Sequence, residues 1–185
     1  MTLWLTHFRR GKLLLSQPTI FFFGWEVGER TTAKIMFRSV LFCTSKRGLV
    51  LENLYLKVRN RSDNFTFSFW GYDDGKGMVR GSGVFVSETG IAAYHHFNPG
   101  LDDEDFEFIS GEYHVEVWAK TFNSEAAFRL GSYRFEIDDD EKTAALSRNQ
   151  GGIIWDWMPE KQRYVAVTRS RTASAQIFNK VTGWK

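Results

Sequence analysis

The stretch Glu112-Tyr113-His114-Val115-Glu116-Val117-Trp118-Ala119-Lys120-Thr121-Phe122 decides how this chain folds. Tyr113, Val115 and Val117 recur at every second position, with His114, Glu116 and Trp118 between them. Successive side chains of an extended backbone point to opposite faces, so this order buries one face of a strand and leaves the other at the surface. A helix would instead repeat at three and four. Upstream, Phe65, Phe67 and Phe69 alternate with Thr66 and Ser68, and Ala126 to Ile137 continues the pattern downstream.

Further strands are expected on both sides. Thr19 to Glu26 puts Ile20 and Phe22 on one face and Phe21 and Phe23 on the other, which suits a strand covered on both faces, with Gly24 as a bulge. Ala33 to Cys43, Leu49 to Arg59, Phe65 to Tyr72, Met78 to Val86, Ile91 to Phe97 and Phe106 to Ile109 follow. Between them lie turn-forming runs: Ser45-Lys46-Arg47-Gly48, Asp73-Asp74-Gly75-Lys76-Gly77 and Ser87-Glu88-Thr89-Gly90.

Many short strands joined by turns, with hardly any helical stripe, predict an all-β antiparallel β-sandwich of immunoglobulin-like Greek-key type with a C-terminal extension. Gly111, Tyr113, Val115 and Val117 resemble the penultimate strand of such sandwiches; the resemblance covers a short stretch and implies a fold type, not a family. Three units are expected: residues 1–17 as a terminal segment that either pairs as a strand or frays, 18–140 as the sandwich, and 141–185 as a basic, aromatic extension packing on the sandwich or on a partner. In that extension Lys142 to Arg148 suits a short helix. Ile153, Ile154, Trp155 and Trp157, then Tyr164, Val165 and Val167, suit a hairpin around Pro159-Glu160-Lys161.

With 43% hydrophobic residues and 25% charged, the chain can build a sizeable core and lies outside the disordered class. The net charge of +2 conceals segregation: residues 1–61 carry +8, 98–140 carry −9 and 141–185 carry +5. Neighbouring strands of opposite sign would neutralise one another locally. A nucleic-acid footprint would need both basic ends on one face, so nucleic acid is not the expected partner. Cys43 is the one cysteine, so no intrachain disulfide forms. The longest apolar run, Ile20 to Phe23, is far short of the ~20 residues that span a bilayer, and no secretory pattern opens the chain. A cytoplasmic protein without membrane insertion is expected.

Motifs for chemistry are weak. Gly81-Ser82-Gly83, Gly90 and His95-His96 are similar to the opening of trypsin-like serine proteases, but the spacing falls short and no nucleophile motif follows. His95 and His96 near Asp102, Asp103, Glu104 and Asp105 invite a metal reading, yet adjacent strand residues face opposite ways and no zinc or calcium spacing is present. The glycine runs lack the phosphate-loop spacing. Asn60-Arg61-Ser62 and Asn64-Phe65-Thr66 match a glycosylation pattern short enough to arise by chance. No catalytic residue, metal or cofactor is assigned. The expected function is non-enzymatic protein-protein binding or self-association. The candidate binding residues are Trp70, Tyr72, Asp73, Asp74 and Arg80 around one turn, with Trp155 and Trp157 in the extension. The alternatives are carbohydrate or small-ligand binding around Trp70 and Tyr72, and an unrecognised hydrolase.

Overall fold

The structure, a computed structural model, describes residues 11–27, 31–61, 63–81, 83–100, 103, 105–138, 140–147 and 151–170; the side chains of 27, 69, 70, 80, 141 and 168–170 lie outside that description. Its strands are β1 (Leu13–Leu15), β2 (Ile20–Val27), β3 (Thr31–Cys43), β4 (Leu49–Asn60), β5 (Asp63–Asp73) and β6 (Met78–Arg80). They continue with β7 (Val84–Val86), β8 (Ile91–Pro99), β9 (Gly111–Thr121), β10 (Phe128–Ile137), β11 (Gly151–Met158) and β12 (Arg163–Ser170). One short helix, α1 (Asp140–Ala145), precedes β11. Among the described residues no helix is long and apolar enough to cross a membrane.

All these strands belong to one antiparallel sheet, whose main path runs β10-β9-β4-β5-β8-β3-β2-β11-β12. β1 joins the far end of β3, β6 joins β5 and β7 joins β4. The expectation of antiparallel all-β structure is met. The strands make a single sheet curled into a near-barrel, where two stacked sheets were expected. The reason is visible in the burial. β9 buries Tyr113, Val115, Val117 and Ala119, β4 buries Leu54, Leu56 and Val58, and β2 buries Phe21, Phe23 and Trp25. The inward faces of these strands are apolar, and a twisted sheet covers that face by rolling onto itself; β2 and β3 also bury Phe22 and Met36 on the opposite face, as expected of a strand covered on both sides.

The rings show where it meets. Phe21 and Phe23 on β2 each lie 4.8 Å from Phe135 on β10, far away along the path. Phe135 also lies 5.3 Å from Trp155 on β11 and 5.1 Å from Tyr164 on β12. Edge-on and tilted pairs of this kind add to the apolar area they bury.

Three local expectations change. Phe106 to Ile109 is not a strand: Phe106 and Phe108 turn into the core and plug one end of the roll, Phe106 against Phe65 at 4.7 Å and Phe108 against Trp25 at 5.8 Å. Met78 to Val86 splits into β6 and β7, because Gly81 and Gly83 adopt positive φ that breaks an extended run. Gly24 is not a bulge. It pairs in register with Lys34 and Gly152, and the Phe22 ring lies over both glycines, where any Cβ would meet it.

The hairpin expected around Pro159 is β11–β12, and β11 pairs with β2 through Ile20 to Gly24. β11 and β12 are thus continuous with the sheet formed by the preceding strands. Trp25 Nε1 donates to the Leu146 carbonyl just after α1, tying the helix to the same end that Phe108 plugs. At the corner before β9, the Tyr113 hydroxyl accepts from the Ile109 N–H at 2.8 Å and donates to the Ile109 carbonyl at 3.0 Å. Residues 1–10 and 171–185, which include most of the expected terminal segment and the end of the expected extension, lie outside the described residues.

Phe135 joins β10 to β2, β11 and β12, so Phe135→Ala is expected to cost about 3–5 kcal/mol, seen as a lower urea midpoint; Phe135→Leu should recover part of that loss.

Candidate functional site

The curled sheet does not close. β10 and β12 are the two ends of the path, and among the described residues no pairing joins them. Between them lies a groove of about 700 Å³ lined by Gln17, Ser132 to Glu136, Trp155, Trp157 and Gln162 to Ala166. Its floor is aromatic. The Tyr133 and Tyr164 rings are 6.1 Å apart, and Trp157 lies 5.1 Å from Tyr164. The register explains the clustering: Trp157 pairs with Tyr164 across the hairpin, and Trp155 with Ala166. Alternation then turns Tyr133 and Phe135 of β10 to the same side as Tyr164.

Polar groups bound the groove. At its lower end the Tyr164 hydroxyl donates to the Pro18 carbonyl and accepts from Gln17 Nε2, both at 2.7 Å. Burial pushes the Tyr133 phenol up to about 12, and burial together with the neighbouring Tyr133 raises Tyr164 still further. Both phenols therefore stay neutral at ordinary pH. At the upper end Lys142 pairs with Asp138. Along the outer rim Arg134 pairs with Glu112 at 3.8 Å, while Glu136 and Arg163 are exposed on opposite walls.

A larger depression of about 870 Å³ lies under β1 and the start of β10, lined by Leu13, Leu14, Gly48, Val50, Thr121 and Phe128 among others. It lacks the convergence of rings that marks the seam.

The residues singled out in the sequence fall in two places. Trp155 is buried in the core, 6.1 Å from Phe23, and its Nε1 is buried without a hydrogen-bond partner. Trp157 is only partly buried and faces the groove. Asp73 and Asp74 form the turn between β5 and β6: Asp73 Oδ1 accepts from the Gly75 N–H at 2.8 Å, and Asp74 Oδ1 from the Lys76 N–H at 3.0 Å. Asp73 is itself buried and Tyr72 partly so. The side chains of Trp70 and Arg80 lie outside the described residues. Strands β4 and β9 separate this turn from the seam, so the structure does not bring the two groups together.

His95 and His96 are both buried, at adjacent positions of β8 and hence on opposite faces of the sheet. The His95 ring lies 5.2 Å from Phe37. Asp102 and Glu104 are outside the described residues, and among the described ones no three His, Cys, Asp or Glu side chains gather in a metal-binding group. On the outer face of β4 and β9, Lys57 Nζ sits 4.2 Å from the Trp118 ring centroid, and Glu116 accepts from Trp118 Nε1 at 3.0 Å and Arg129 at 2.7 Å. That face is internally paired.

The groove residues missed in the sequence are Tyr133, Phe135 and Gln17. Tyr133 and Phe135 lie in the stretch Ala126 to Ile137 that reads as a strand, but nothing local says that this strand ends the sheet. Compared with known proteins, the chain matches no family model, no curated protein and no solved structure.

Burial lowers the pKa of His95 to about 3 and, with help from the Lys34 charge and His95, that of His96 to about 3. An unfolded histidine titrates near 6.5, so between that pH and about 3 the unfolded chain binds more protons and folding stability falls as pH falls. Urea unfolding at pH 7 and pH 5 should show a loss of roughly 2 kcal/mol per buried histidine; His95→Phe should remove part of that slope, and an unchanged slope would count against it.

Proposed function

We propose that this chain is a non-enzymatic binding module that contacts another protein, or a second copy of itself, through the groove between β10 and β12. One observation carries the reading: two strand edges that pair with no further strand among the described residues flank a concave, aromatic-floored groove with a partly exposed Trp157. Aromatic anchors in concave, partly desolvated sites are where protein contacts concentrate their energy. The polar groups of the groove support the same reading, since the Tyr164 hydroxyl is held by Gln17 and Pro18, and Lys142 by Asp138.

The Tyr113 hydroxyl clamped on Ile109, together with the order β9-β4-β5-β8, supports a Greek-key, immunoglobulin-like reading of the topology. The single curled sheet favours a barrel-like variant. Carbohydrate binding around Trp70 and Tyr72 is weaker support for function, because the Asp73 and Asp74 carboxylates that would meet hydroxyls are engaged in shaping their turn.

Trp157→Ala in the full chain should weaken association about 30-fold, read by sedimentation for self-association and by quantitative co-purification for other partners, with near-ultraviolet dichroism retained. Equal association by a folded Trp157→Ala variant would remove the groove. A glycan array giving specific binding would favour the carbohydrate alternative.

A further inference from the structure

We propose that the partner enters the seam as an extended peptide segment, hydrogen-bonded antiparallel to both β10 and β12. The inference rests on the binding-module reading and names the mode of binding and the chemistry of the ligand.

Strand direction is the first argument. Every neighbouring pair along the path is antiparallel. The path β10-β9-β4-β5-β8-β3-β2-β11-β12 has an odd number of members, so its first and last strands run in the same direction. Direct closure would need a parallel pair. One inserted strand running opposite to both edges completes an alternating, even-numbered ring in which every edge is paired, the condition that removes exposed sheet edges. Addition of a strand to a free edge is also a general mode of peptide recognition.

The lining sets the sequence of the ligand. Tyr133, Phe135, Trp155 and Tyr164 form the floor, while Ser132, Arg134, Glu136 and Arg163 stand along the rim. An extended segment therefore presents apolar residues inward at every second position and polar residues outward. From Ser132 to Asp138 the wall is about 20 Å long, room for about seven residues.

Charge then fixes the polarity. Glu136 lies near the upper end of β10 and Arg163 begins β12 at the lower end. A strand antiparallel to both runs from the Glu136 end to the Arg163 end. It pairs favourably when its outward basic residue is in the N-terminal half and its outward acidic residue in the C-terminal half.

The probe is a fluorescein-labelled peptide, Thr-Val-Lys-Val-Thr-Phe-Glu-Val-Thr, titrated with the full chain and read by anisotropy. Two controls accompany it: the peptide with Lys and Glu exchanged, and one N-methylated at alternate amides, which keeps the side chains but removes main-chain donors. Saturable binding is expected, at least about 30-fold weaker after N-methylation because several methyl groups each remove a main-chain hydrogen bond, and weaker after charge exchange. Equal binding by the N-methylated peptide would overturn strand insertion. A protein dimer that the peptide dissociates would place a second copy in the seam and overturn the peptide-ligand proposal. If no peptide binds while Trp157→Ala still abolishes association, strand insertion fails and the binding-module reading stands; if neither effect is seen, both fail.

Discussion

Phe135 packs against Phe21 and Phe23 at 4.8 Å, and the rest of the architecture depends on that meeting of strands from opposite ends of the sheet. A sheet with one continuous apolar face would otherwise expose it to water. Each buried aromatic side chain removes enough apolar area to contribute on the order of 2–3 kcal/mol, so the sheet gains by rolling until rings from β2, β10, β11 and β12 touch. Phe106, Phe108 and Leu146 then close one end, and Tyr164 fastened to Pro18 braces the other.

Rolling also creates the feature of greatest functional interest. The same inward rings that join the two ends of the sheet form the floor of the groove between them. The backbone edges above that floor run in the same direction, and among the described residues no strand pairs with them. A structural requirement, covering the apolar face, and a binding opportunity, an open aromatic seam, thus arise from one arrangement of Tyr133, Phe135, Trp155 and Tyr164.

Much that looks like chemistry in the sequence serves local structure. The paired aspartates Asp73 and Asp74 cap their own turn, and Glu116 orders Trp118 and Arg129 on the outer face. The two histidines are held neutral inside the protein by burial. Trp155, a candidate binding residue expected to pack on the sandwich or on a partner, is a core residue because β11 lies between β2 and β12 and its inward face is covered by Phe23 and Phe135. Its neighbour two positions on, Trp157, lies beyond the stretch of β11 paired to β2 and keeps part of its ring at the groove.

The alternation in Tyr113 to Val117, Phe65 to Phe69 and Phe21 to Phe23 was enough to determine strands, their buried faces and the antiparallel all-β class, because side-chain direction in an extended backbone is a local property with period two. The turns at Asp73 and Pro159 were legible for the same reason: they are made by adjacent residues. Phe106 and Phe108 share that period yet form no strand; both rings turn into the core and plug its end. Which strands become neighbours, that one sheet rolls where two were expected, and that β10 and β12 are left as edges were decided only by tertiary structure, because those outcomes depend on contacts between residues more than a hundred positions apart, such as Phe21 with Phe135, and on the number of strands in the whole path.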